Sequence, residues 1–271
     1  MTTNLISLAD ALIEIKLSIE TAIKTGGTVA KNNLIRTQKP IKLLHDVVKS
    51  ELIRNSVNPQ LIKPALKQSK GELALSGFFK RKNQDVCVVQ KDLIPTNEIL
   101  KTEGFLYGEK DEFGLQFTQK TLSINVRSQL SSSAKNFDTL YERTFAEALN
   151  LHLRCPEMVL GEFYMIAVRE YDSNQANNNT VAFRKPKGIE KHIEKYLRSF
   201  SAINGRKSKD NEHYKYERIC LLIVDFSTEI PKYYSTDEQL KADGLLPENT
   251  KASIQNLNFE TFISDLLYCK R

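Results

Sequence analysis

No tryptophan occurs in this 271-residue chain, and methionine, cysteine and histidine are sparse, at three, four and four. Cys87, Cys155, Cys220 and Cys269 are scattered and form no C-x-x-C pair. That excludes a zinc ribbon and a disulfide-framed scaffold. Three of them sit in apolar surroundings and read as small buried residues in a reducing cytosol. The histidines are equally dispersed, so a His-built metal cluster is not expected. Long apolar runs are also absent. The opening segment MTTNLISLADALIEIKLSIE interleaves acids with aliphatic residues and lacks the basic start of a secretory signal. A soluble, cytoplasmic protein with no membrane span is expected.

What is present is ordinary globular material, 41% hydrophobic and 27% charged. The length suits one large domain or two small ones and buries a sizeable core. The net charge of +6 favours polyanionic partners such as nucleic acid or a membrane surface. A merely lysine-rich surface is the plain alternative.

Periodicity divides the chain. Leu8, Leu12, Ile15, Ile19 and Ile23 recur at helical spacing over 7–24, with Ser7 and Asp10 as a capping pair and Gly26-Gly27 as the stop. A second helix is predicted over 41–55. Two β-rich runs at 72–80 and 85–90 flank the polar segment RKNQ, which reads as the turn of a hairpin. Residues 93–117 look like an irregular excursion. A strand follows at 120–127, then an amphipathic helix over 137–153 with Thr139 and Glu142 at capping-box spacing, and a nearly continuous apolar strand at 158–168. REYDSNQANNN reads as a turn and TVAF as a short return strand. A helix at 188–203, a buried strand at 219–226 and a last helix within 258–268 complete the order. The fold class predicted is α/β (α+β): a mixed central β-sheet flanked by helices. A helical N-terminal region over 1–65 packs on an α/β domain over 66–271, as a single compact unit.

Metal-dependent phosphodiester cleavage requires carboxylates to hold Mg²⁺ beside the phosphate and a fixed cation to offset developing charge. An acid on one strand and an acid-x-Lys on its neighbour meet that need, because alternate residues share a face. Asp85 opens the strand DVCVV after Gln84, and Asn125 and Arg127 sit two apart on the next strand. A second acid is then needed. The candidates are Glu142, early in the following helix, and Glu162, an acid inside an apolar strand where an unpaired charge is costly. Glu51 and Glu72 are lesser rivals. His152 reads as a core histidine.

The layout QD…INVR resembles the PD…xExK motif of the PD-(D/E)xK nuclease superfamily, particularly type II restriction endonucleases, over residues 70–226. Gln84, Asn125 and Arg127 stand where that pattern has Pro, Glu and Lys. The resemblance implies a restriction-endonuclease-like fold and Mg²⁺-dependent, sequence-specific cleavage of double-stranded DNA by a homodimer. Asp85 with Glu142 or Glu162 would hold the metal, and Arg127, which keeps its proton, would position phosphate or water. Lys80, Lys82, Arg127, Ser128, Gln129, Ser131, Ser132, Lys135, Arg206 and Lys207 would contact DNA, through phosphates or base edges. Two alternatives stay open: a nuclease-like DNA- or RNA-binding protein without catalysis, and an enzyme on another substrate.

Overall fold

The computed structural model describes residues 4–68, 70–101, 103–130, 136–184 and 187–270. In chain order the elements are α1 (Leu8–Arg36), α2 (Lys39–Arg54), β1 (Ile62–Lys63), β2 (Leu73–Ser76), β3 (Arg81–Gln84), β4 (Val86–Val88), β5 (Glu98–Ile99), β6 (Lys110–Asp111), α3 (Gly114–Gln119), β7 (Leu122–Gln129), α4 (Phe137–His152), β8 (Val159–Ala167), α5 (Ser173–Asn177), α6 (Ile189–Ala202), β9 (Arg218–Asp225), β10 (Lys232–Tyr234), α7 (Asp237–Ala242) and α8 (Phe262–Cys269).

The six-stranded sheet has the order β1-β4-β7-β8-β9-β10. β1, β4 and β7 form an antiparallel meander. β7, β8 and β9 are parallel, and β10 closes the far edge antiparallel to β9. Parallel neighbours need a crossover, and α4 and α6 supply the two. Consecutive right-handed crossovers fall on one face, and both helices share a core there with Leu160, Tyr164, Ile166, Ile219, Leu221 and Ile223. α1, α2 and α8 cover the other face, against Ile124, Val126, Phe163, Met165, Leu222 and Val224. The protein is therefore a three-layer mixed α/β structure. Among the described residues no helix is long and apolar enough to cross a membrane.

Several local expectations give way to the packing. Ser7 does cap α1, accepting from Asp10 N at 3.1 Å. The Gly26-Gly27 pair breaks the helix but does not end it: both residues leave helical dihedrals, and a second helical stretch runs on to Arg36. RKNQ is not a turn. It is β3, paired antiparallel with β2, and the turn lies at residues 77–80, closed by Gly77 N donating to Lys80 O at 3.1 Å. A charged tetrapeptide holds a strand because Lys82 and Gln84 point inward while Arg81 and Asn83 face solvent. α4 begins at Phe137 after Asn136, so Thr139 and Glu142 lie inside the helix and form no capping box. TVAF contributes only the bridge of Phe183 to Tyr171, and part of the expected turn before it is α5. The excursion contains the β5–β6 ladder and α3. β1 joins the sheet at Ile62–Lys63, and α1 and α2 of the helical N-terminal region share a core with β7 and β8.

Phe163 sits at the centre of β8, fully buried, edge-on to Phe259 and Phe262. Phe163→Ala is expected to cost about 3–5 kcal/mol in urea unfolding, because the cavity lies between two rigid layers. Leu17→Ala, at a residue 58% exposed, should change stability by no more than about 0.5 kcal/mol.

Candidate functional site: a buried charge cluster beneath α4

β7 builds the site through its two-residue alternation. Leu122, Ile124 and Val126 face α1, α2 and α8, so Ser123, Asn125, Arg127 and Gln129 lie on the face covered by α4 and α6. In the parallel register Asn125 stands beside Glu162, and Arg127 beside Tyr164. Asp85 precedes β4, whose Val86 pairs with Ile124. There the Asp85 carboxylate accepts from Val126 N at 2.8 Å, so a side chain takes a backbone donor of β7.

Glu162 has no exposed surface. A lone carboxylate in that position is prohibitively costly to bury. Arg127 Nε lies 3.0 Å from Glu162 Oε1 and supplies the counter-charge. The ion pair is close but not aligned: neither Glu162 oxygen has a donor in hydrogen-bonding geometry among the described residues. The rest of the guanidinium reaches α4. Its Nη1 donates to Thr144 Oγ1 at 2.9 Å and its Nη2 to Glu147 Oε2. Lys82 Nζ, from β3, is 2.5 Å from the same Glu147 oxygen and 3.5 Å from Asn125 Oδ1. Two cations from β3 and β7 thus bind acids from α4 and β8, with Asp85 at the margin.

Burial raises the Glu162 carboxyl above its usual range, with Arg127 and Lys82 pulling the other way and Asp85 adding to the rise. Arg127 is disfavoured as a cation by burial, yet the Glu162 carboxylate and its other neighbours hold it even more firmly protonated than usual. Burial, then the Arg127 charge, lower the Lys82 amine to about 8. The cluster extends into α2: burial lowers the His45 imidazole against the pull of the Asp85 carboxylate. Burial and Asp85 together raise the Glu72 carboxyl.

No family model, curated protein or solved structure matches the chain.

Of the predicted site residues, Asp85, Asn125, Arg127 and Glu162 come together. Glu142 does not join them. It is exposed on α4, whose buried stripe is Thr144, Glu147, Ala148 and Leu151, and Glu147 is the acid of that helix that meets Arg127. A charge at buried helical spacing (144, 147, 148, 151) is the sequence signal that distinguishes Glu147 from Glu142. Lys82, expected as a DNA contact, is part of the charge cluster instead. Its signal is the two-residue alternation within RKNQ.

The proposed DNA contacts scatter. Gln129 is buried, its Oε1 accepting from Tyr164 at 3.0 Å and Tyr196 at 2.5 Å, so it cannot read a base edge. Arg206 is a loop anchor with a side chain 1% exposed, donating to Pro156 O and Lys209 O and paired with Glu217. Lys207 is exposed on that same loop, at the end of the sheet where β8 starts, away from the finish of β7. Ser128 is half-buried, on the opposite face of β7 from Arg127. Lys80 is half-buried at the hairpin turn. Ser131, Ser132 and Lys135 lie outside the described residues. Glu51 pairs with Arg54 at 2.5 Å on α2. His152 is a core residue, its ring nitrogens 3.0 and 3.1 Å from the carbonyls of His213 and Met158.

Two measurements test this electrostatic reading. Lys82 should titrate by lysine side-chain NMR with a midpoint near 8, well below the ~10.4 of ordinary lysines. Stability should rise slightly with pH between those values, where the unfolded chain holds a proton that the folded site has released. A Lys82 signal titrating with the surface lysines refutes this. Arg127→Met should shift that midpoint upward by removing the nearest like charge. It should also cost about 3–5 kcal/mol in denaturation, since Glu147 and Glu162 lose their shared partner.

Proposed function

We propose that this chain is a Mg²⁺-dependent DNA endonuclease of the type II restriction class, with a restriction-endonuclease-like fold, acting on double-stranded DNA as a homodimer. The observation that carries the reading is the convergence of Asp85, Arg127 and Glu162 on one face of three adjacent strands. Asp85 heads the second strand of an antiparallel meander and Arg127 lies on the third. This placement supports the reading of QD…INVR as a variant of the PD-(D/E)xK pattern. Lys82 reaches the cluster from β3 and offers an amine that β7 lacks.

Among the described residues, no group of three or more His, Cys, Asp or Glu side chains is arranged to hold a metal ion. Mg²⁺ asks for less, one or two carboxylates with water and phosphate oxygens in its other positions. Asp85 and Glu162 are hard oxygen donors, and the buried Glu162 carboxylate, poorly aligned with Arg127, suits a cation. The donor set fits, and these two residues would hold the ion. A bound Mg²⁺ would supply charge neutralisation at the phosphate and a more acidic water. Arg127, permanently protonated, would offset the charge that develops on the phosphate. Lys82 Nζ, which releases its proton near pH 8, is placed to take one from water. Val126 N holds Asp85 Oδ2 in position.

A second reading has its own observation. Glu147 and Glu162 are already committed to Lys82 and Arg127, as in a nuclease-like DNA- or RNA-binding protein that does not cut.

Digestion of mixed phage DNA with Mg²⁺ separates the two. Discrete fragments support the endonuclease, and retarded, uncut DNA supports the binder. Asp85→Ala and Glu162→Gln should each lower cleavage by at least about a hundredfold while leaving DNA retardation intact. Cleavage unchanged in both variants defeats the site assignment.

A further inference from the structure

The turn of the β2–β3 hairpin presents Phe79 to solvent, 59% exposed, and the excursion brings Phe105, 80% exposed, beside it. Their ring centroids are 6.2 Å apart with planes tilted by 42°. The hairpin ring is displayed from backbone that is firmly held. Phe78 N donates to Asn150 O at 2.7 Å, and Phe79 N and Lys80 N both donate to Asn150 Oδ1, at 2.7 and 2.9 Å. Asn150 Nδ2 returns a bond to Lys80 O at 3.1 Å. Gly77 packs so closely on this asparagine that a Cβ would stand 2.3 Å from Asn150 Nδ2. Gly104 sits against the Phe78 carbonyl, where a Cβ would stand at 2.8 Å. The excursion is tied to the hairpin by Arg81, which donates to Lys110 O.

Folding gains little from holding two phenyl rings out in water, so the display calls for a partner with an apolar face. The surrounding charge narrows the choice. Lys80 and Arg81 adjoin Phe79 on the hairpin, while the excursion side exposes both signs, Lys101 and Lys110 with Glu103, Glu109 and Glu112. The two basic residues of the hairpin draw a polyanion toward the ring pair. Asn150 is one helical turn beyond Glu147, and Lys82, three residues after Phe79, touches Glu147. The hairpin turn that carries Phe79 therefore docks one turn of α4 away from the helix's contact with the cluster.

We propose that the Phe79–Phe105 pair is a stacking platform for an unstacked nucleobase of the DNA bound at the Asp85–Arg127 cluster. Aromatic faces accept any base, and apolar side chains inserted at a base step are an established means of bending duplex DNA. The inference rests on the DNA reading of the cluster and adds the element that engages the bases.

The test uses the full chain with Phe79→Ala and Phe105→Ala combined, two exposed positions whose truncation leaves the core intact. Binding is read in EDTA, so that nothing is cut, by anisotropy on mixed-sequence duplexes carrying 2-aminopurine. The double variant should bind at least about fivefold more weakly, with an unchanged salt slope, and should lose the 2-aminopurine response of the parent protein. Lys80→Ala should instead reduce the salt slope by about one. An unchanged affinity and base signal overturns the platform, as does a drop from dimer to monomer by sedimentation, which would assign the rings to self-association. Cleavage with normal binding by the double variant defeats the platform alone. Ring-dependent binding without cleavage defeats the endonuclease alone. A parent protein that binds no nucleic acid defeats both.

Discussion

A carboxylate with no exposed surface on the central strand of a sheet has to be compensated, and here the compensation is Arg127. Its guanidinium spans Glu162 on β8, Glu147 on α4 and the hydroxyl of Thr144. One side chain therefore joins two adjacent parallel strands to the helix that crosses between them. Lys82 brings the β2–β3 hairpin to the same Glu147 oxygen. Removing either partner of a buried pair leaves an uncompensated charge, so the hairpin, β7, β8 and α4 are held in mutual register by electrostatics as well as by their apolar contacts. Such a cluster is a poor source of net stability compared with a hydrophobic replacement. Its cost in the middle of the fold is an argument for function.

The sheet explains how the cluster is assembled. The meander β1-β4-β7 brings Asp85 against the finish of β7, where Val126 N secures it. The parallel crossover then brings Glu162 level with Asn125. Ser123, Asn125, Arg127 and Gln129 of β7 point to the α4 and α6 side because alternation leaves no other choice once Ile124 and Val126 are in the opposite core. Each is answered by a partner. Ser123 donates to Gln84 Oε1 at 2.7 Å, and Gln129 accepts from two tyrosines. A strand that ends in hydroxyls and amides is here a seam of satisfied polar groups.

The long elements were legible in the sequence. α6 and β8 fall within a residue or two of the spans expected from periodicity, because a strong moment or a continuous apolar run depends on little beyond local order. The hairpin was not legible. RKNQ has the composition of a turn, and it is held as a strand by pairing with LALS and by Glu147, which lies far along the chain. The site divided the same way. Asp85, Arg127 and Glu162 stand out as charges placed against apolar neighbours. Glu147 was hidden among several acids on α4, and choosing it over Glu142 needs the rotation of that helix over the sheet. Gln129 and Arg206 looked like free donors, but both are consumed by tertiary partners.

By itself the sequence determined the alternation and the helical phases, and with them the layered α/β class and the face on which Asp85, Asn125 and Arg127 lie. Those properties follow from backbone geometry with periods of two and 3.6 residues. Only the tertiary structure decided which cation meets which acid, that Lys82 turns inward while Arg81 turns out, and that Phe79 and Phe105 share one exposed corner. A charge pair or a ring contact depends on distances of a few ångströms between distant segments, and those distances exist only once the layers have closed.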